Sequence, residues 1–248
     1  MPNWVYNNLS ITGSPNVVEQ VREKLAQPYT TNHRTFVLED GKHEVRQVVD
    51  VHKSALSFWN IVSPTDLDAY WGESTHKVDL DNFAESYTKS LSEGMDWWHW
   101  NVREWGCKWD ACEVETQDDF TYNGKQTIGY RFDTPWSPPL EVIEKLAQQY
   151  PDLTIHIGYE EEQGWGGEVT WDNGEVVQQE EWDIPDSHEE VMERNGYCNQ
   201  CDSIYYDKKT GEWNLDYLFD DCPRPTQEEL DALSSDLTSI PESGNVVL

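Results

Sequence analysis

The chain has 248 residues, of which 37% are hydrophobic and 12% aromatic, and its 48 acids against 17 bases give a net charge of −31. That length holds one large domain or two small ones. No apolar run reaches the roughly 18 residues of a membrane span, and a field this negative repels phosphate, which disfavours nucleic-acid binding through a broad basic surface.

Met1-Pro2-Asn3-Trp4 lacks the basic and apolar regions of a secretory signal, so a cytoplasmic protein is expected. Trp4 to Thr12 alternates as a strand and ends at Gly13. Ser14-Pro15 then opens a helix in which Val17, Val18, Val21 and Leu25 recur at helical spacing, and Pro28 stops it. Residues 29–53 are polar, with short strands expected at 35–38 and 44–51 around Asp40-Gly41. Phe58 to Pro64 reads as an aromatic-anchored loop, and 79–100 as a helix with Phe83, Tyr87 and Leu91 on one face.

Five tryptophans fall between Trp97 and Trp109, in a run through His99, Trp100, Trp105 and Lys108. So much indole area belongs in a core or on a binding surface. Its place before the second strand favours a brace that packs the insertion onto the sheet. Lys108 and Asp110 form either a charged pair in an aromatic site or an ordinary surface or capping contact.

Residues 112–120 and 126–133 read as strands joined around Asn123-Gly124, a strong hairpin signal. Ser137-Pro138-Pro139 opens a helix through Val142, Ile143 and Leu146 that Pro151 ends. Leu153 to Tyr159 alternates as a strand, and two more flank Asp172-Asn173-Gly174. This order is the split βαβ of an α+β, ferredoxin-like sandwich over residues 1–183. Residues about 28–104 form a long insertion after the first helix. Residues 184–248 form a small acidic C-terminal subdomain, with a short helix at 186–194, a hairpin at 204–213, a helix at 225–237 and a loose tail.

The odd set Cys107, Cys112, Cys198, Cys201 and Cys222 points to metal binding or burial before disulfides. Cys198-Asn199-Gln200-Cys201 is a C-x2-C knuckle, with Cys222 beyond it. Zinc needs a fourth ligand, with His188, an aspartate, Cys107 or Cys112 as candidates. The alternatives are one structural zinc or free, buried thiols. No nucleophile elbow, phosphate loop or dinucleotide fingerprint is present, so no catalytic residue is assigned.

Met1-Pro2-Asn3-Trp4, Trp105 to Ala111, Phe132-Asp133-Thr134-Pro135-Trp136-Ser137-Pro138-Pro139 and Tyr159-Glu160-Glu161 together resemble the Api92-like family, over roughly residues 1–180. The family's central motif usually has Thr where this chain has Cys107. The resemblance implies a ferredoxin-like fold and a home on phages and related mobile elements of bacteria, and it transfers no catalytic residue. The expected function is a non-enzymatic accessory protein that binds a basic-surfaced host or phage protein in the bacterial cytoplasm. Its acids Glu160, Glu161, Glu162, Asp172, Glu180, Glu181 and Asp183 either mimic nucleic acid or only solubilise. An RNA-binding sheet and an enzyme with an unrecognised site are the alternatives.

Overall fold

Strand β1, Trp4–Gly13, turns Val5, Asn7, Leu9 and Ile11 inward and Tyr6, Asn8, Ser10 and Thr12 outward, the period-2 alternation of a sheet covered on one face. The computed structural model describes residues 2–39, 42–67, 70, 97–198, 200–201, 205–207, 212–215, 218–230 and 246–247. They divide into two compact units, Met1–Asp183 and Ile184–Leu248.

In the first unit, helix α1 (Pro15–Leu25) buries Val18, Val21 and Leu25. Pro15 sits in its first turn, where a missing N–H costs nothing. Strands β2 (Tyr29–Glu39) and β3 (Lys42–His52) pair antiparallel along their full lengths, a longer hairpin than the expected short strands. A 3-10 turn, Phe58–Asn60, follows. Of the expected 79–100 helix, residues 79–96 lie outside the described residues. The described helix α2 runs Trp97–Trp105, so four of the five tryptophans of the run are helical, and Trp109 follows the helix.

Strands β4 (Cys112–Thr116) and β5 (Phe120–Tyr122) both pair with β6 (Lys125–Pro135). Asn123 and Gly124 adopt the left-handed conformations (φ 49° and 77°) that a tight hairpin turn requires. Helix α3 (Leu140–Gln149) leads to β7 (Thr154–Glu161), then β8 (Gly166–Asp172) and β9 (Glu175–Trp182). The expected cap of α3 differs: the helix starts after Pro139, and the Ser137 hydroxyl donates instead to the Gly106 carbonyl at 2.7 Å.

The sheet order is β4-β6-β1-β7-β8-β9, antiparallel throughout. Its first four strands with α1 and α3 make the split βαβ of a ferredoxin-like α+β fold, with β1 between β6 and β7. One face is closed by a core that includes Leu9, Ile11, Phe58, Trp105, Phe132, Ile143, Leu146 and Ile157. The opposite face carries no helix among the described residues.

In the second unit, helix α4 (His188–Asn195) is capped by Ser187, whose hydroxyl accepts from the Glu190 N–H, and ends at left-handed Gly196. Strands β10 (Tyr205–Asp207), β11 (Glu212–Asn214) and β12 (Val246–Val247) pair in the order β11-β10-β12. The expected loose tail is therefore corrected at Val246–Val247, which β10 recruits as a strand. Thr226 and Glu229 close a reciprocal capping box: the Glu229 carboxylate accepts from the Thr226 N–H at 2.8 Å, and the Thr226 hydroxyl from the Glu229 N–H at 3.3 Å.

Candidate functional site

Helix α4 positions the one cluster of metal-donor side chains among the described residues. His188 opens the helix. Asp221 accepts hydrogen bonds from the His188 and Glu189 backbone N–H groups at 2.8 and 3.1 Å. That carboxylate both caps the helix and seats the neighbouring Cys222 beside His188. At the far end of the helix, the turn at Gly196 returns the chain through Cys198 to Cys201. The donor atoms of His188, Cys198, Cys201 and Cys222 all lie within 4.8 Å of one another.

The spacing can be tested against a tetrahedron. Zn–S near 2.3 Å and Zn–N near 2.0–2.1 Å imply edges of about 3.8 Å between sulfurs and about 3.5 Å from sulfur to nitrogen. Cys201 Sγ and Cys222 Sγ stand 3.4 and 3.5 Å from His188 Nδ1, and Cys198 Sγ stands 4.0 Å from Cys222 Sγ. The last distance is about twice a disulfide bond, and the cysteines are free thiols. Burial pushes the Cys198 thiol up, but hydrogen bonds from the Cys201 N–H, from His188 and from the Gln200 N–H outweigh it and bring it down to about 7. Three sulfurs and one imidazole nitrogen are a donor set that could hold a metal ion.

Cys107 and Cys112 are not part of this cluster. Cys107 is buried in the first unit's core, its thiol raised by that burial and directed at the Trp109 carbonyl, and Cys112 is half-buried.

The tryptophan segment forms a brace. Trp105 packs edge-on against Phe58, Trp59 and Trp100, and its indole N–H donates to the Val62 carbonyl at 3.0 Å. Lys108 and Asp110 do not pair with each other. The Asp110 carboxylate turns inward and accepts from the Phe58 N–H at 2.6 Å, the Ala111 N–H at 2.8 Å, the Tyr29 hydroxyl at 3.1 Å and the Ser57 hydroxyl. Burial raises its carboxyl above the ordinary range, against those hydrogen bonds. The Lys108 ammonium lies instead over Trp136, Trp109 and Trp97, at 4.7, 5.0 and 5.9 Å from the ring centroids.

The predicted acidic residues divide by strand parity. Glu160, Asp172 and Glu180 share the uncovered face of the sheet. Glu162 and Asp183 are exposed outside the strands. Glu181 faces the other way, toward Tyr159, whose hydroxyl it helps raise. Glu161 is corrected: it is 2% exposed, and its carboxylate accepts from the Gln163 N–H at 2.7 Å. The inward register of Ile155, Ile157 and Tyr159 carries Glu161 into the interior with them, a signal already present in the alternation.

The register adds three acids that sequence reasoning missed. Glu115 lies opposite Arg131, Asp133 opposite Tyr6, and Glu168 opposite Gly158 and Glu180, all on the uncovered face. Burial, then Glu113 and Glu115, raise the Asp133 carboxyl. The Tyr6 hydroxyl is raised by burial and by Glu162 and Asp133. The face is therefore strongly negative, with Arg131 and, at the hairpin end, Lys125 as its cations among the described residues.

Residues 108–198 match the family model described as the ferredoxin-like domain in Api92-like protein. Among solved structures, the crystal structure of a protein api92 from Yersinia pseudotuberculosis is similar at 11% identity and a TM-score of 0.39, covering 75% of this chain and 99% of that one. No curated protein matches the chain. No described helix is long and apolar enough to cross a membrane. Residues 108–198 are thus similar to the ferredoxin-like domain of Api92-like proteins.

Proposed function

We propose that this protein is a non-enzymatic accessory protein of a phage or related mobile element. On this reading it acts in the cytoplasm of a bacterial host and binds a host or phage protein with a basic surface. The observation that carries it is the uncovered sheet face, where Glu115, Glu168 and Glu180 lie on one cross-strand row and Asp133 and Glu160 on the next, on either side of β1. Adjacent strands lie about 4.8 Å apart, so the two rows gather these carboxylates at both ends of one face, an anionic patch that can stand in for the charges of a phosphate backbone. The same charge repels RNA, which sets the protein partner above an RNA-binding sheet.

The test is co-purification from the host in low salt, comparing wild type with Glu160→Lys/Glu180→Lys. Both positions are exposed, so the fold is expected to survive. Wild type is expected to retain basic proteins that about 0.5 M salt releases and that the charge-reversed variant loses. Partners that survive both treatments, or bound RNA in their place, would sink the reading.

For the Ile184–Leu248 unit we propose one structural zinc held by His188, Cys198, Cys201 and Cys222. The near-tetrahedral donor spacing supports it, as does the composition of the unit's core, where Cys198 and Cys222 pack with Val191 and Leu218. A bound zinc would tie both ends of α4 to the segment around Cys222, with all four positions filled by protein and no vacant site for catalysis.

A further inference from the structure

The uncovered face has a depression of about 260 Å³ near its centre. Its floor is Ser10, Gly129 and Gly158, from the adjacent strands β6, β1 and β7, and its walls include Phe120, His156 and Asp118. The hollow exists because two of the floor positions are glycines and the third is a small serine: Ser10 pairs with Gly129, and Asn8 with Gly158. The β4–β5 connection is folded down over Gly129, with the Gln117 N–H donating to the Gly129 carbonyl at 2.8 Å. A Cβ at position 129 would come within 2.9 Å of the Gln117 side chain.

We propose that this depression is a receptor for one arginine side chain of the basic partner protein. The inference rests on the acidic-face reading above and deepens it by naming the anchor. Charge selects a cation: Asp118 lines the hollow and Glu168 stands opposite Gly158 on the same face, while the neighbouring cation Arg131 is engaged with Asn8. Size selects a side chain, because 260 Å³ is below the roughly 300–1,000 Å³ typical of small-molecule sites. Shape and chemistry select the guanidinium. The Phe120 ring is 59% exposed and forms a flat wall against which a planar cation can stack. The Asp118 carboxylate and the Ser10 hydroxyl are acceptors for a donor with five N–H groups, and the Asn8 side-chain oxygen, which accepts from Arg131 at 3.4 Å, has a second lone pair. His156 directs Nδ1 to the Thr170 hydroxyl at 3.0 Å, which fixes its ring as the opposite wall. An arginine seated in a central pocket is a common interface hot spot.

The test uses Gly158→Val. A Cβ at 158 meets only His156 Nε2, at 3.9 Å, and the position is mid-strand, so valine is expected to fold well while filling the hollow. No carboxylate is altered. The probes are octa-arginine and octa-lysine peptides at equal ionic strength, measured by calorimetry on the full chain. Wild type is expected to bind octa-arginine about tenfold more tightly than octa-lysine. Gly158→Val is expected to lose that preference while still binding octa-lysine, and Phe120→Ala to reduce it. Equal affinity of wild type for both peptides, or a preference that survives Gly158→Val, overturns the pocket and leaves the acidic face standing. Failure of both peptides to bind wild type overturns the acidic face as well.

Discussion

Replacing Cys222 with serine is expected to remove zinc from the purified protein and to unfold the Ile184–Leu248 unit while the Met1–Asp183 unit stays folded. The unit is small, and two of its principal buried residues, Cys198 and Cys222, belong to the donor cluster. A chain of this size seldom gains more than about 3–5 kcal/mol from a single core. A structural zinc contributes about 10–16 kcal/mol on binding, so the metal outweighs the packing. Wild type is expected to carry one zinc per chain by mass spectrometry of the metal. Cys222→Ser, or a strong chelator, is expected to expose residues 184–248 to proteolysis. Cys112→Ser, outside the cluster, is expected to keep both the metal and the protection. A wild-type chain free of zinc and as resistant as the variant would end the proposal.

Asp110→Ala is expected to be the most damaging single change in the first unit, at about 3–5 kcal/mol. Its carboxylate joins Tyr29 at the start of β2, Ser57 just before the 3-10 turn, Phe58 in it, and Ala111 just before β4. Alanine would leave the Phe58 and Ala111 N–H groups and the inward-facing hydroxyls without an acceptor, each a cost of about 1–3 kcal/mol when buried. Asp110→Asn keeps one carbonyl acceptor and is expected to lose less. Thermal unfolding reads the difference, with a fall of roughly 10 °C expected for alanine in a unit of this size. A change of under about 1 kcal/mol would show that the clamp is dispensable.

The sheet was largely legible because its signals are local. Ser14-Pro15 marks the entry to α1, Asn123-Gly124 and Asn173-Gly174 mark hairpins, and the alternation in β1 and β7 sorts inward from outward positions. The long hairpin of β2 and β3 was only partly legible, since its stabilising backbone pairing leaves little mark on a polar sequence. The start of α3 was misplaced because Ser137 has a distant competitor for its hydroxyl, the Gly106 carbonyl. Cys198, Cys201 and Cys222 could be named from spacing. His188 remained one candidate among several, because its approach depends on Asp221 capping α4, a contact made across 33 residues. The acidic face was sought in a run of neighbouring acids, whereas a sheet assembles its surface by parity. That is why Glu161 turns inward while Glu115, Asp133 and Glu168 appear on the face.

The place of β1 in the sheet has a consequence for how the chain is made. It lies between β6 and β7, with Val5 paired to Thr134 on one side and to Glu161 on the other. An early segment thus waits, with both hydrogen-bonding edges open, until its late neighbours leave the ribosome. Closing loops of this length before any sheet contact can form makes for slow folding. Charge gives β1 little early protection, since residues 1–50 hold six acids against five bases, and it grows only to twenty acids against ten bases over residues 1–120, by the time β6 follows.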